Sequence, residues 1–284
     1  MKLARFTRNG QTSLGKVVGD RVVDLSAVAP DCGHSMRRFL EQFDTLRPAA
    51  EAASEPSYAL DEVTLEAPVG DASKYLAIGM NYQSHADEAA AAGVTMPKTQ
   101  IWFNKQVSSI TGPYHDVEVP KAGPDMVDYE AEMGVVIGKR CRHVAREDVR
   151  SVIAGYLVCN DVTARDWQFR SPTYTLGKSF DTHGPIGPWI TTDDEIADPH
   201  ALMLKLELNG EVRQEESTGG MLYNIFDQIE YISKVMTLEP GDVIATGTPA
   251  GVGIAASRFM KEGDVVRVSV EGLGYIENRF VNEV

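Results

Sequence analysis

The chain has 284 residues, enough to bury a large core as one domain or as a small one plus a large one, and its 43% hydrophobic and 24% charged content is ordinary for a globular protein. A formal net charge of −14 disfavours nucleic acid and anionic membranes as partners, since both ask for a basic footprint. No apolar run approaches the roughly 18 residues of a membrane span, "MKLARFTRNGQ" has no apolar export core, and Cys32, Cys141 and Cys159 lack C-x-x-C spacing, so the expectation is a cytoplasmic protein without a zinc site or disulfide framework.

The first 28 residues read as short strands, "LARF", "LGKVV" and "RVVDLS", separated by Asn9-Gly10 and Gly19-Asp20. Both dipeptides between apolar runs signal hairpins. A helical patch, "SMRRFLEQFDTL", follows, and the Ala/Glu/Pro/Ser stretch from Pro48 to Pro56 is read as a linker. The boundary falls near residue 70, giving a small N-terminal β domain over residues 1–70 and a larger domain over 71–284. Beyond it the chain is mostly strands broken by Gly and Pro, among them "YLAIGMNY", "MGVVIGK", "AGYLVCND" and "DVIATGT". Helices are predicted near Val162–Arg170 and over Leu222–Met236, where Leu222, Ile225, Phe226, Ile229, Ile232 and Met236 keep helical spacing. The fold class is mixed and β-rich, α+β rather than an alternating βαβ sheet.

In "GMNYQSHADEAA", His85 and Glu88 stand three apart, so one helical turn brings them within hydrogen-bond reach. A carboxylate beside an imidazole fixes its tautomer and raises its basicity, as a general base requires. The alternative is an exposed histidine at the start of an Ala-rich helix. In "DYEAEMGVVIGK", Glu130 and Glu132 point to the same face of a strand, roughly 6–7 Å apart along the chain. Two such carboxylates repel unless a cation lies between them. They could line a solvent face, but Gly134, Val135, Val136 and Ile137 continue as a strand buried on both sides. A buried strand with a polar mouth suggests a site.

"GYLVCNDVTARDWQ" sends an apolar strand to Asn160 and Asp161 at the start of a short helix. Asp161 reads equally as an N-cap or a ligand. Arg165 and Gln168 follow at helical spacing and can share a polar face with it, the plainer reading of Asp161 and Arg165 being an i,i+4 ion pair. In "YTLGKSFDTHGPIGPW", Lys178 is held between glycine and proline punctuation, less free than a solvated lysine. "GDVIATGTPAGVG" leads a strand into a glycine-rich loop with the Thr246 and Thr248 hydroxyls, which offers N–H groups to an anion or is simply a tight turn. Two nucleotide motifs fail on context. "GKS" at Gly177–Ser179 has Pro172 where a phosphate loop needs glycine, and "GVGIAA" from Gly251 has neither a following helix nor a βαβ unit.

Taken in order, "GMNYQSHADE", "DYEAEMGVVIGK", "CNDVTARDWQ", "GKSFDTHGPIGPW" and "GDVIATGTPAGVG" resemble the fumarylacetoacetate hydrolase family over roughly residues 70 to 284. The resemblance implies a β-roll catalytic domain, a small N-terminal domain and a homodimer. It implies a divalent metal on Glu130, Glu132 and Asp161, and a water-activating dyad of His85 and Glu88 on a lid segment. Arg165, Gln168 and Lys178 match positions around the substrate that stabilise developing negative charge, and Thr248 matches a contact to its carboxylate end. The further upstream aspartate ligand of the larger animal members has no clear counterpart, so a three-carboxylate site is expected.

An all-oxygen set suits magnesium or manganese, with calcium as a further option, rather than zinc. Three protein oxygens leave about three octahedral positions, two for the carboxylate and keto oxygens of a 2-oxo acid and one for water. The ligands bring three negative charges against two positive, so Arg165 and Lys178 would balance an anionic substrate. The implied activity is metal-dependent hydrolysis of the C–C bond of an acylpyruvate, a 2,4-dioxo acid, with maleylpyruvate or fumarylpyruvate from aromatic catabolism as named candidates. Decarboxylation of oxaloacetate, and isomerisation or hydration of unsaturated 2-oxo acids, would use the same cage. A metabolite-binding relative with a dead site is the non-enzyme alternative, and the complete dyad and triad argue against it. Pocket shape is expected to depend on loops such as residues 89–99.

Overall fold

A computed structural model describes residues 1–95 and 98–284; Met96 and Pro97, inside the 89–99 loop, lie outside the described residues. The N-terminal hairpins follow their turn residues. Strands β1 (Lys2–Arg8) and β2 (Gln11–Val18) pair antiparallel across Asn9 and Gly10, whose φ values of 51° and 78° are what a two-residue primed turn needs. Strand β3 (Arg21–Asp24) follows the Gly19-Asp20 turn.

The Pro48–Pro56 stretch is not a linker from its start. Helix α1 (Met36–Glu41) is followed by α2 (Phe43–Ala52), which runs through Pro48. Pro48 forfeits one i→i−4 hydrogen bond. The alanines around it are strong helix formers, Ala50 is buried, and Arg47 pairs with Glu51 across one turn at 2.7 Å, so the helix persists.

Strands β4 (Ser57–Ala59), β5 (Thr64–Glu66) and β6 (Tyr75–Gly79) lead to helix α3 (Gln83–Ala91), then to β7 (Ile101–Lys105), β8 (Ile110–Thr111) and β9 (Val117–Val119). Next come β10 (Val127–Asp128), β11 (Ala131–Ile137), β12 (Ile153–Asn160), β13 (Thr163–Ala164) and helix α4 (Arg165–Gln168). The helix expected over 162–170 is thus one turn, because Thr163 and Ala164 spend their backbone pairing with Val127 and Asp128. The remainder is β14 (Gly184–Thr192), β15 (Met203–Leu208), β16 (Glu211–Ser217), α5 (Ile225–Val235), β17 (Val243–Ala245), β18 (Val265–Val270) and β19 (Gly274–Asn282). Helix α5 begins at Ile225 rather than Leu222 because Asn224 caps it. Its side chain accepts from the N–H groups of Phe226 and Asp227, and Asp227 accepts from the Asn224 N–H in return.

The fold is mixed α+β and β-rich. One large sheet runs β4-β3-β2-β1-β14-β12-β11-β17-β6-β7, with β5 on β1 and β8 on β14, and a second runs β16-β15-β18-β19-β9. The β1–β14 pairing joins the N-terminal hairpins to the strands that follow. Strand β11 is buried along its whole length. Met133, Val135 and Ile137 pack with Leu204, Val268 and Ile276 of the second sheet, while Val136 joins Leu3, Phe39 and Leu157 on the other side. Glu130 and Glu132 lie on the Val136 side of the period-two alternation, at the end where the strand opens.

Candidate active site

The register of the β11–β12 pair builds the acidic cluster. Ala131 stands opposite Asn160 and Glu132 opposite Cys159, and the Asp161 N–H donates to the Glu130 carbonyl at 2.9 Å. This places Glu130, Glu132 and Asp161 around one point, with one oxygen from each within 4.8 Å of the others. All three are buried. The alternatives for Asp161 both fail: α4 is preceded by Ala164, and Arg165 pairs elsewhere.

Three buried cations surround the cluster. The Lys178 ammonium bridges Glu130 (2.8 Å) and Asp161 (2.7 Å). Arg165 reaches Glu130 at 2.7 Å through Nη1, and its Nε and Nη2 both lie 2.8 Å from one Asp128 oxygen, the Nε aligned to donate. Lys105 donates to the other Asp161 oxygen at 2.7 Å and to the Val162 carbonyl at 3.1 Å. Burial opposes ionisation of Glu130, but Lys178 and Arg165 outweigh it and hold its pKa at about 2. Burial likewise opposes charge on Lys178 and Arg165, and their carboxylate partners outweigh it and raise both.

Glu132 is different. Its hydrogen bond comes from the Gly247 N–H at 2.7 Å, and among the described residues it forms no ion pair. Burial, then the neighbouring Asp161 and Glu130, push its pKa well above the usual carboxylate range. A buried carboxylate unneutralised beside two others is costly. The donor set is three hard oxygens that converge, so these residues fit a divalent cation such as magnesium or manganese.

The glycine-rich loop after β17 does offer N–H groups to anions, and the anions are the protein's own carboxylates. Gly247 serves Glu132, Gly251 serves Glu88 (3.0 Å), and Gly253 and Ile254 serve Asp128 (2.7 and 2.9 Å). Gly247 has φ +100°, and a Cβ there would lie 2.7 Å from the Asn81 Cβ, so the turn admits no side chain. Gly177 is needed for close approach rather than for phosphate. A Cβ would stand 2.2 Å from the Gln168 backbone nitrogen, and the contact sets Lys178 beside Gln168.

On α3 the His85 Nδ1 lies 3.1 Å from Glu88, whose second oxygen accepts from Gly251. Burial would raise the Glu88 pKa, but His85 and the Gly251 N–H outweigh it and lower it. With Glu88 ionised, Nδ1 carries the proton and Nε2 is the basic nitrogen, a tautomer assigned from its partner. His85, Glu88, Glu130, Arg165 and Lys178 line one cavity of about 280 Å³, joined by Gln168 and Thr248. Glu132 and Asp161 lie beneath it, joined through Glu130 and Lys178. Gln168 accepts from Arg165 (3.0 Å), which turns its amide donors free of that bond. The Thr248 hydroxyl accepts from Gln214 (2.9 Å), leaving its own proton to donate, whereas Thr246 is spent on the Met133 carbonyl. A larger cleft of about 640 Å³ beside Phe43 is lined by surface ion-pair residues such as the half-buried Arg47 and the exposed Asp194 and Lys139; the buried charges face the smaller one.

Two members of the cluster escape the sequence reading. Asp128 opens the "DYEAE" stretch yet looks like a strand-edge residue; it is fully buried and ties the glycine-rich loop to Arg165. Lys105 ends β7, and the alternation Phe103, Lys105 puts it on the buried face, the one local sign that it is not solvated.

The sequence and the fold are similar to those of known proteins. Residues 74–281 match the family model for the fumarylacetoacetate (FAA) hydrolase C-terminal domain, and residues 1–68 match an Rv2993c-like N-terminal model. The chain is 42% identical over 270 residues to the mitochondrial oxaloacetate tautomerase Fahd2a of Rattus norvegicus, covering 93% of this chain and 85% of that one. A crystal structure of maleylpyruvate hydrolase from Sphingobium sp. SYK-6, in complex with manganese(II) and pyruvate, is 35% identical with a TM-score of 0.85 and full coverage of both chains. The 5-carboxymethyl-2-hydroxymuconate delta-isomerase of Mycobacterium smegmatis is 34% identical with a TM-score of 0.80, again over both full chains.

Proposed function

The chain belongs to the fumarylacetoacetate hydrolase family, and from that premise we propose that it hydrolyses the C–C bond of an acylpyruvate to pyruvate and a carboxylic acid. The observation that carries the reading is the His85–Glu88 dyad facing the same cavity as Glu130, Lys178 and Gln168. Glu130, Glu132 and Asp161 would hold magnesium or manganese. When bound, the ion supplies electrophilic activation and charge neutralisation for the carboxylate and keto oxygens of a 2-oxo acid. His85 takes a proton from water at Nε2, and Glu88 holds the ring and stabilises the imidazolium. Lys178 and Gln168 aim donors at the oxyanion that forms on the distal carbonyl. Thr248 binds the carboxylate end, and Arg165 brings positive charge and fixes Glu130. The homodimer, the cytoplasmic location and the division at residue 70 belong to the same proposal and rest on family membership and sequence pattern.

A second reading has one observation in its favour, the 42% identity to an oxaloacetate tautomerase. The same dyad could move a proton between carbon and oxygen of a 2-oxo acid without any attack by water, as isomerisation also requires. Product analysis decides between them. Incubation with acylpyruvates and with oxaloacetate, with pyruvate release and enol loss followed separately, should show pyruvate from the acylpyruvates. His85→Ala should cut that release by about 100-fold or more, a usual general-base contribution. Rapid oxaloacetate tautomerisation with no acylpyruvate cleavage would replace the hydrolase by the tautomerase.

A further inference from the structure

The acylpyruvate reading leaves the tail of the substrate open, and the apolar part of the cavity lining bears on it. Besides its polar residues the cavity is lined by Ile101, Phe103, Phe169, Tyr174, Val252 and Ile254. Phe103 and Tyr174 meet edge to face, with ring centroids 6.0 Å apart, and the Lys178 ammonium lies 5.1 Å from the Phe103 ring, marking where the polar end stops. Among the described residues the cations lining the cavity are Arg165 and Lys178, and both are bound to carboxylates at the polar end.

Charge points the same way. Around the site Glu88, Asp128, Glu130, Glu132 and Asp161 face Lys105, Arg165 and Lys178, so a divalent cation brings the set to neutrality. One substrate carboxylate at the cation is accommodated; a second, on the tail, would meet apolar side chains and the Tyr174 hydroxyl but, among the described residues, no cation free of a carboxylate. An ionised carboxylate desolvated without a partner is strongly disfavoured, whereas each methylene buried there is favourable. The volume of about 280 Å³ is just under the range of sites for drug-sized ligands, which suits a tail of a few carbons.

We propose that this cavity selects 2-oxo and 2,4-dioxo acids with a short, uncharged, apolar tail over those ending in a second carboxylate, maleylpyruvate and fumarylpyruvate included. The proposal rests on the assignment of the polar end to the 2-oxo acid, and its test does not depend on turnover. The magnesium-loaded protein is titrated calorimetrically with 2-oxohexanoate and with 2-oxohexanedioate, which match in length and differ only in the terminal group. Neither has a C–C bond of the acylpyruvate kind to cleave. 2-Oxohexanoate should bind at least about tenfold more tightly than the diacid, and more tightly than pyruvate. Equal or tighter binding of the diacid overturns the proposal. Phe169→Arg, at a side chain 65% exposed and outside the catalytic groups, should narrow or invert the preference by supplying the missing cation. A preference unchanged in that variant would show that tails do not reach this lining, and also overturns it. If 2-oxohexanoate is preferred while no acylpyruvate is cleaved, the hydrolase reading fails and the selectivity stands.

Discussion

Replacing Arg165 by methionine separates two roles that the geometry superimposes, holding the acidic cluster together and meeting the substrate. Arg165 is 4% exposed; its Nε donates to Asp128, its Nη1 serves Glu130 and Gln168, and its Nη2 lies beside Asp128 without an aligned acceptor. Removing one partner of a buried ion pair costs about 3–5 kcal/mol because the other charge is left unpaired. The lower end applies here. Asp128 keeps the N–H groups of Tyr129, Gly253 and Ile254, and Glu130 keeps Lys178. A loss of about 3 kcal/mol in a chain of this length lowers the melting temperature by roughly 5 °C. Glu130 also loses the group that orients it, so manganese affinity should fall by about 10–100-fold, the usual effect of a missing outer-shell partner. Arg165→Lys keeps a charge but not the fork, and should recover part of the stability and less of the affinity. The assays are calorimetric unfolding of the metal-free protein and calorimetric manganese titration. A melting temperature within about 1 °C of wild type and an unaltered manganese affinity, with only the Michaelis constant raised, would refute the argument and make Arg165 a substrate contact alone.

Glu132→Gln should cost more than about 100-fold in manganese affinity, beyond what outer-shell changes produce. Because burial, Asp161 and Glu130 raise the folded pKa of Glu132, the metal-free wild type loses stability as pH rises above the unfolded value, and the variant should escape that loss when unfolding is followed from pH 5 to 8. Lys178→Met removes the cation bridging Glu130 and Asp161, and turnover should fall about 100–1000-fold, as on loss of an oxyanion donor; steady-state kinetics at saturating metal reads it. His183 is buried, its Nε2 donates to the Glu118 carbonyl at 2.9 Å, and burial followed by Lys105 lowers its pKa to about 3. Below the unfolded value of about 6.5 the unfolded chain takes up a proton that the fold excludes, so stability falls as pH falls, by about 2 kcal/mol between pH 7 and pH 5. His183→Gln should flatten that part of the profile in denaturant melts at the two pH values; equal slopes would show that His183 charges freely in the fold.

Much of this protein is written in short-range pattern. The Asn9-Gly10 hairpin, the strand at 131–137 with a polar mouth and the i,i+3 dyad on α3 all depend on residues a few positions apart, so their spacing and conformational preferences suffice. The pairing of buried charges does not. Arg165 and Asp161 have the spacing of a helical ion pair, yet Arg165 goes to Asp128 and Glu130, because β13 pairs with β10 and leaves only one turn of helix. Lys105 is brought to Asp161 from 56 positions away. The glycine-rich loop finds its anions in Asp128, Glu88 and Glu132, on a strand, a helix and another strand. The apolar lining of the cavity is likewise assembled from β7, the segment after α4 and the loop after β17. Which side chains a sequence contains decides that carboxylates and cations must be paired once buried. Which of them pair is set by strand register and loop closure, and those long-range contacts are free to choose among partners that local spacing leaves equivalent.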